Sequence, residues 1–371
     1  MKRVNFGDIV REVKVQVDRN NNPYIHYVAG DHMDSMDLTI RRKGSFATDD
    51  VGPAFIRIFK PGQVLYGSRR TYLKKIAVAD FEGICSNTTF VLETKDSNVF
   101  LQELLPFVML SESFTKWSIS HSKGSTNPYV LFSDLANYEF TLPSLSEQKV
   151  LADKLWAAYR VKESYKKLLA ATDDMLKAKF QEMFGRLDKN RIVKDVANVV
   201  SGKSIPTKYE DIIGNIAYVK VADFNIPGNE RYIKTSSRFV TLESASLSKY
   251  VSSGSVLFAK NGAAALSNKK RLTVIDCCID MNTIAIVPSK DKIYPEYLLS
   301  VFENTNIEDF VRQGAIPSIS PKDIENMAIP LPPLPLQQQF VEIATQAEAT
   351  KESLRKSIKS IDQVIKSLIN Q

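Results

Sequence analysis

One short motif occurs twice in the chain, and this internal repeat constrains the fold more than any other feature. The first copy is Leu142-Pro143-Ser144-Leu145 and the second is Leu331-Pro332-Pro333-Leu334, and glutamines follow each copy. The copies lie 189 residues apart (331 minus 142). A long apolar-periodic run without internal proline or glycine follows each of them, which predicts a long helix after each motif.

We predict these helices at residues 146–187 and 336–371. The second has apolar residues spaced alternately four and three apart, with Thr350 on the same stripe, which is a heptad seam. The first has a looser stripe that Lys162 and Thr172 interrupt. A narrow stripe indicates a coiled-coil pair, although a helical hairpin inside a larger core is the alternative. The predicted seam is Leu155, Tyr165, Leu169, Leu176, Phe340, Ile343, Leu354, Ile358, Ile361, Ile365 and Leu368.

The repeat extends beyond the helices. Pro61-Gly62-Gln63-Val64 is similar to Ser253-Gly254-Ser255-Val256, and Ser86-Asn87-Thr88 is similar to Met281-Asn282-Thr283. The chain is therefore two copies of a unit made of one domain and one helix. We place the domains at residues 1–145 and 188–335. Short β runs mixed with helical stretches and loops rich in Gly, Ser, Asn and Pro predict the α+β class.

Positive charge is concentrated at matching places in the two halves. The net charge is +7, and no Asp or Glu occurs between Asp50 and Asp80 or between Glu243 and Asp276. One such window indicates a solvated face, but two matched windows favour phosphate contact. Secondary candidates are the polar loops 124–127 and 312–318. The primary candidates for DNA binding are Arg57, Lys60, Arg69, Arg70, Lys74 and Lys75 in the first half, and Lys260, Asn261, Lys269, Lys270 and Arg271 in the second.

No catalytic motif withstands inspection. Gly202-Lys203-Ser204 resembles the end of a phosphate-binding loop, but Ala197 stands where that pattern requires glycine. The sequence contains no acid pair, nucleophile triad or metal-ligand spacing, so we predict no catalytic residue and no metal site. The three cysteines, Cys85, Cys277 and Cys278, lie in apolar runs and are predicted to be buried free thiols.

No run of the chain approaches the length of a membrane span, and the N-terminus begins a strand-like pattern without a signal peptide. We therefore expect a cytoplasmic protein without a membrane partner.

A domain that ends in Leu-Pro-x-Leu-x-x-Gln, then a long helix, then the same unit again, resembles the specificity subunit of type I restriction-modification systems. The second copy of the motif fits well, while the first has Ser144 in place of the second proline. The resemblance implies two target-recognition domains, related by pseudo-twofold symmetry and separated by an antiparallel helix pair. Each domain would read one half of a bipartite target in double-stranded DNA.

The resemblance also implies partners. Two methyltransferase subunits, which bind S-adenosylmethionine and modify adenine, would dock on the chain, and a restriction subunit that uses ATP and Mg would join them. This chain itself is then expected to bind no cofactor. Two other functions stay open: a self-sufficient DNA methyltransferase or nuclease, and a helical scaffold that does not read DNA. Cofactor binding by the isolated chain would favour the first, and failure to retard duplex DNA would favour the second.

Overall fold

The computed structural model describes residues 2–18, 21–189 and 191–370. It divides into two compact units, Met1–Lys166 with Arg355–Gln371 as unit 1 and Lys167–Leu354 as unit 2. Each unit combines one domain with a segment of each long helix. Within the predicted domains and the predicted C-terminal helix, the residues that lie outside the described ones are Met1, Arg19, Asn20, Asn190 and Gln371.

Unit 1 contains two small sheets and a ribbon. The sheets have the strand orders β2-β9-β6-β7 and β4-β3-β8-β5, and β1 pairs with β10. The strands are β1 (Lys2–Asn5), β2 (Val10–Val13), β3 (His26–Val28), β4 (Gly44–Ser45), β5 (Phe55–Phe59), β6 (Val64–Gly67), β7 (Ile76–Val78), β8 (Gly83–Ser86), β9 (Thr89–Thr94) and β10 (Glu139–Leu142). The short helices are α1 (Phe6–Ile9), α2 (Leu105–Leu110), α3 (Glu112–Ser120) and α4 (Phe132–Ala136).

The two long helices are α5 (Leu145–Phe184) and α9 (Leu334–Ile369). Helix α5 begins one residue before the predicted start and ends three residues before the predicted end, and α9 begins two residues early.

Unit 2 has the corresponding sheets, ordered β12-β20-β17-β18-β14 and β15-β13-β19-β16, and the pairs β11–β23 and β21–β22. Its strands are β11 (Arg191–Ile192), β12 (Ala197–Ser201), β13 (Ile216–Val219), β14 (Tyr232–Ile233), β15 (Phe239–Val240), β16 (Lys249–Val251), β17 (Val256–Ala259), β18 (Lys270–Thr273), β19 (Cys277–Ile279), β20 (Thr283–Pro288), β21 (Val311–Arg312), β22 (Ser318–Ile319) and β23 (Ala328–Ile329). Its short helices are α6 (Leu242–Ala245), α7 (Pro295–Glu303) and α8 (Pro321–Glu325).

The strand orders show that the second domain repeats the first. The parallel pair β3–β8 corresponds to β13–β19, and the antiparallel pair β6–β7 corresponds to β17–β18. Tyr66 faces Ile76 in the first domain, and Phe258 faces Lys270 in the second. The predicted internal repeat and the α+β class are confirmed, and the register allows single positions of the two domains to be matched.

The long helices pack against each other in antiparallel fashion inside each unit. In unit 1, Leu151 lies beside Leu368, and further along α5 Lys162 pairs with Asp362 at 2.6 Å. One residue number rises as the other falls, so the two segments run in opposite directions. In unit 2, Asp173 pairs with Lys351 at 2.7 Å.

The buried stripe of the helices differs in part from the predicted seam. Thr350 is exposed and Lys351 is buried instead, while Lys162 and Thr172, predicted as interruptions, are buried within the stripe. Each helix packs on a domain as well as on its partner, so burial follows a wider face than a strict heptad. Of the predicted seam residues, Leu155, Leu176, Phe340, Leu354 and Ile365 are buried, and Tyr165, Leu169, Ile343, Ile358, Ile361 and Leu368 are half-buried.

The glutamine that follows each copy of the repeated motif is buried and hydrogen-bonded to the backbone. Gln148 is fully buried: its Oε1 accepts from the Leu101 N–H at 3.0 Å, and its Nε2 donates to the carbonyls of Val99 and Pro143. Gln337 has the same role, accepting from the Tyr294 N–H and donating to two carbonyls. One amide side chain thus pairs three backbone groups where the chain enters each helix.

Candidate nucleic-acid interface

In domain 1, two loops are joined beyond the end of β6. The Arg70 N–H donates to the Pro128 carbonyl at 2.7 Å, and the Val130 N–H donates to the Ser68 carbonyl at 3.0 Å. Arg70 and Lys74 have left-handed backbone, with φ of 50° and 47°, and flank a short 3-10 turn. We call residues 68–75 and 121–130 the paired loops of domain 1.

Domain 2 builds the same arrangement beyond the end of β17. The Gly262 N–H donates to the Pro317 carbonyl at 2.8 Å, and the Ile319 N–H donates to the Lys260 carbonyl at 2.9 Å. Gly262 and Asn268 have φ of 70° and 54° and again flank a 3-10 turn. Residues 260–269 and 312–319 are the paired loops of domain 2. The structure thus places some primary sequence candidates beside a secondary one in each half: Arg69 and Arg70 beside loop 124–127, and Lys260 and Asn261 beside loop 312–318.

The paired loops of domain 1 present exposed side chains suited to nucleic acid. Arg69 and Arg70 are exposed, and the Arg70 Nε donates to the Asn127 Oδ1 at 3.3 Å. Tyr72 and Tyr129 are also exposed, although aromatic side chains are more often buried. Guanidinium groups pair with phosphates or with guanine edges, and phenol rings can stack or donate.

Sequence reasoning missed Tyr72, Tyr129 and the exposed Lys123, which pairs with Asp134 at 3.1 Å. Lys123 and Tyr129 exchange backbone hydrogen bonds across the polar loop, so they face each other at its base. The signal available in the sequence was the aromatic residue directly after the Asn127-Pro128 turn.

The paired loops of domain 2 are less basic at the surface. Lys260 donates to the Ser201 Oγ at 2.9 Å, Asn261 donates to the Asn282 Oδ1 at 3.1 Å, and Lys269 donates to the Asn225 Oδ1 at 2.5 Å. Arg312 forms a two-pronged pair with Asp323 at 2.9 and 3.0 Å. Asn261 is half-buried and Lys269 is exposed in this loop pair.

Several other sequence candidates lie away from these loops. Arg57 is buried and pairs with the buried Glu12, so its guanidinium does not reach the surface. Lys60 precedes β6 whereas Arg69 follows it, so the two lie at opposite ends of that strand. A basic window in the sequence is therefore not one patch in space, because a strand that crosses the domain separates its members.

The remaining cations of both windows are tied to neutral oxygens. Lys74 donates to the Leu110 carbonyl at 3.4 Å, and burial lowers the pKa of Lys74. Lys75 donates to the Gly30 carbonyl. Lys270 and Arg271 begin β18; Lys270 is buried, and Arg271 is half-buried and donates to the carbonyls of Lys270 and Phe224.

The three cysteines are buried free thiols, as predicted. Burial raises the pKa of Cys85 and of Cys277 to about 12, which keeps both protonated at neutral pH. Within residues 2–18, 21–189 and 191–370, no three His, Cys, Asp or Glu side chains group as metal ligands. Among the helices of that same part of the chain, none is both long and apolar enough to span a bilayer.

The sequence matches the family described as the type I restriction modification DNA specificity domain, over residues 18–171 and again over residues 189–363. Together these matches cover most of the 371 residues. The chain belongs to this family. Each match takes in one domain and a large part of the helix after it, which is the repeat seen in the strand orders.

Relatives in the specificity-domain family are distant in sequence. The chain is 25% identical over 311 residues to the type I restriction enzyme MjaIX specificity subunit of Methanocaldococcus jannaschii, covering 77% of this chain and 70% of that one. It is 29% identical over 142 residues to the EcoDI specificity subunit of Escherichia coli. That second match covers 38% of this chain and only 30% of the relative.

Solved structures agree in fold. A specificity subunit from M. genitalium aligns over 99% of this chain and 94% of its own, with a TM-score of 0.58 and 13% identity. A chain from a study of complex assembly and conformational transition of the type I R-M system aligns over 99% and 96%, with a TM-score of 0.58 and 22% identity. At such identities the likeness concerns the fold, and the DNA-contacting residues of this chain remain predictions.

Proposed function

We propose that the chain is the DNA-reading subunit of a type I restriction-modification enzyme, and that each domain reads one half of a bipartite target through its paired loops. One observation carries this proposal: both domains hold the two loops together by the same backbone bonds, at matched positions, with Arg70 in one and Gly262 in the other. A fold that fixes the loop backbone while the side chains vary suits a reader of different half-sites.

The side chains divide into two roles in this proposal. Arg69 and Arg70 of domain 1 and Lys269 of domain 2 meet phosphates and position each domain, since they are exposed cations. Asn127 and Asn261 read base edges, because an amide can pair with both N6 and N7 of adenine. The matched arrangement gives each half-site its own positioning and reading groups.

The chemistry belongs to partners in this proposal. Two methyltransferase subunits, each holding S-adenosylmethionine, dock on the exposed faces of α5 and α9, and a restriction subunit supplies ATP- and Mg-dependent cleavage. The chain contributes no catalytic residue and binds no cofactor of its own. A subunit with this role would act in the cytoplasm.

The test exchanges one domain and reads the methylated sequence. Residues 188–335 are replaced by the corresponding segment of a relative with a different target, and the chain is expressed with its methyltransferase in cells that lack both. Methylome sequencing should show one half-site changed and the other retained. The reciprocal exchange of residues 1–145 is the matched control and should change the opposite half-site.

Three outcomes would overturn the proposal. Methylation by the purified chain alone would make it an enzyme. A change in both half-sites after one exchange would show that the domains do not read independently. If the assembled complex bound duplexes of every sequence with the same affinity, the chain would instead be a helical scaffold that does not read DNA.

A further inference from the structure

Unit 2 contains a cavity of about 340 Å³ that β18 lines together with residues of α5 and α7. Five cations contribute to its wall: Lys177, Arg231, Lys269, Lys270 and Arg271. Two carboxylates, of Asp173 and Glu303, line it as well. The wall therefore carries more positive than negative charge, and its members Arg231 and Lys270 are buried, which is unusual for cations.

The carboxylates are already engaged by other groups. Glu303 pairs with Arg231 at 2.9 Å, and Asp173 pairs with Lys351 at 2.7 Å. Lys269, Lys270 and Arg271 donate to neutral oxygens instead. Lys270 Nζ donates to the Asn268 Oδ1 at 2.5 Å and to the Thr305 carbonyl at 2.7 Å. Burying the Lys270 ammonium is costly in free energy when its donors meet only neutral oxygens.

Two buried donors in the cavity wall lack an acceptor. Arg231 is only 8% exposed and Lys270 only 5%. In the part of the chain that the structure describes, neither the Arg231 Nε nor the Arg271 Nε meets a hydrogen-bond acceptor. Buried donors are almost always paired in folded proteins, so these two point to a ligand with acceptor oxygens.

Domain 1 shows that the fold does not require these charges. In the register of the two sheets, Ile76 of domain 1 takes the position of Lys270, because Ile76 pairs with Tyr66 and Lys270 pairs with Phe258. In the same way, Ala77 of domain 1 takes the position of Arg271. The Val78 N–H donates to the Leu38 carbonyl where the Leu272 N–H donates to the Arg231 carbonyl. The residues at the three charged positions of domain 2 are thus Leu38, Ile76 and Ala77 in domain 1.

We propose that this cavity binds a small phosphate-bearing anion, in the size range of pyrophosphate or a nucleoside diphosphate. Guanidinium and ammonium groups are the preferred partners of phosphate oxygens, and the volume lies at the small end of ligand pockets. The phosphate is that of a mobile small molecule and not of DNA, because Arg231 and Lys270 lie too deep for a duplex backbone. This site shares only Lys269 with the DNA reading proposed above, and its buried residues Arg231 and Lys270 take no part in that reading.

The protonation of Lys270 agrees with an anion at this place. Burial lowers the pKa of Lys270 to about 8, and the charge of Glu303 only partly offsets that effect. A bound phosphate would favour the charged ammonium and so stabilise the site.

The test is isothermal titration calorimetry of the full chain with pyrophosphate and, separately, with ADP, at millimolar concentration. We expect at least one of them to bind. Lys270→Met and Arg271→Gln should each weaken that binding about tenfold or more, because each removes a charge-assisted hydrogen bond. Lys290→Met, which removes an exposed cation elsewhere in unit 2, is the matched control and should change affinity by less than about twofold.

A second measurement does not depend on the variants folding. The anion that binds should raise the thermal midpoint of the wild-type chain as its concentration rises, because it binds the folded state alone. Absence of both heat and thermal shift with both anions would overturn the proposal, as would equal weakening in the Lys290→Met control.

Titration of the anion in the presence of duplex DNA distinguishes a site for a small phosphate-bearing molecule from a site for the DNA backbone. The small anion should still bind the chain saturated with duplex DNA, because the duplex can engage only Lys269 of the cavity wall. Displacement of the anion by duplex would assign the cavity to the DNA backbone and overturn the proposal.

Discussion

The two domains have the same strand orders and loop backbones but place charge differently. Arg70 and Gly262 share left-handed backbone at one matched position, and Lys74 and Asn268 share it at another. The positions of Leu38, Ile76 and Ala77 in domain 1 carry Arg231, Lys270 and Arg271 in domain 2. The backbone conformation at matched positions is therefore shared between the halves, whereas the side chains there differ in charge.

The helices show the same division between likeness and difference. Lys162 and Lys351 are 189 residues apart, as are Asp173 and Asp362, so the two ion pairs are equivalent under the repeat (351 minus 162, and 362 minus 173). Lys351 has a further acid, Glu348, at 2.8 Å. The two ion pairs occupy equivalent positions of the repeat, but only Lys351 has a second acid beside it among these pairs. Mutation of each aspartate can therefore test whether the two halves behave alike.

The largest effect is expected at the buried glutamines, where the two halves should behave alike. Gln148→Leu and Gln337→Leu each leave one N–H and two carbonyls without their partner, at about 1–3 kcal/mol for each buried group. Each substitution should lower the free energy of unfolding by roughly 3–5 kcal/mol, measured by urea titration.

The exposed neighbour Gln339 supplies the control. Gln339→Leu should change stability by no more than about 0.5 kcal/mol. A small effect at one of the two buried glutamines alone would show that the junctions are not equivalent.

A smaller effect should separate the two ion pairs. Asp362→Ala leaves Lys162 buried without its carboxylate and should cost about 1–3 kcal/mol. Asp173→Ala should cost less than about 1 kcal/mol, because Lys351 keeps a second carboxylate partner in Glu348, which Lys162 lacks among the ion pairs of the described residues. Equal losses in urea titrations of the two variants would mean that Glu348 does not support Lys351.

The paired loops should differ in their dependence on salt. If Arg69 and Arg70 meet phosphates, alanine at each should lower the slope of log affinity against log salt by about 0.9. Asn261→Ala in domain 2 should leave the slope unchanged, since the amide carries no charge. Arg3→Ala, an exposed arginine on β1, is the control. Unchanged slopes in both domain 1 variants would mean that Arg69 and Arg70 are solvated surface residues without phosphate contacts.

Much of the fold was predictable because it rests on local periodicity and on the repeat. The helices after Pro143 and Pro332 and the α+β domains follow from patterns that sequence displays directly. The roles of Lys162 and Thr172 were not predictable in this way. Lys162 looks like an interruption of the apolar stripe in the sequence, because its partner Asp362 lies 200 residues away (362 minus 162).

The candidate site was predictable only in part. The windows around Arg69 and Asn261 led to the paired loops, because each window contains β6 or β17 and the loop that follows that strand. Sequence could not show that Arg57 points inward to Glu12 or that Lys270 enters a cavity, because the direction of a strand side chain depends on sheet register.

The last prediction contrasts Asp37 with its match in domain 2, Glu230, each preceding the matched residues Leu38 and Arg231. Burial raises the pKa of Asp37, but hydrogen bonds outweigh this and hold it well below its usual range. The donors are Arg41 at 2.8 Å, Tyr159 at 2.7 Å, the Thr39 N–H at 3.0 Å and Lys166 at 3.1 Å. Glu230 is exposed and accepts from the Gly228 N–H at 3.0 Å.

A lowered pKa in the folded state means that the Asp37 carboxylate stabilises the fold at neutral pH and loses this effect as acid protonates it. Asp37→Asn should therefore lower the free energy of unfolding by about 1 kcal/mol at pH 7, since Arg41 and Lys166 are partly solvated. The difference from wild type should shrink below about pH 4, where the unfolded carboxyl takes up its proton. Glu230→Gln should stay within about 0.5 kcal/mol of wild type. Urea titrations of the three chains from neutral pH to about pH 3 measure this, and an undiminished Asp37→Asn difference in acid would show that the aspartate acts through shape and not charge.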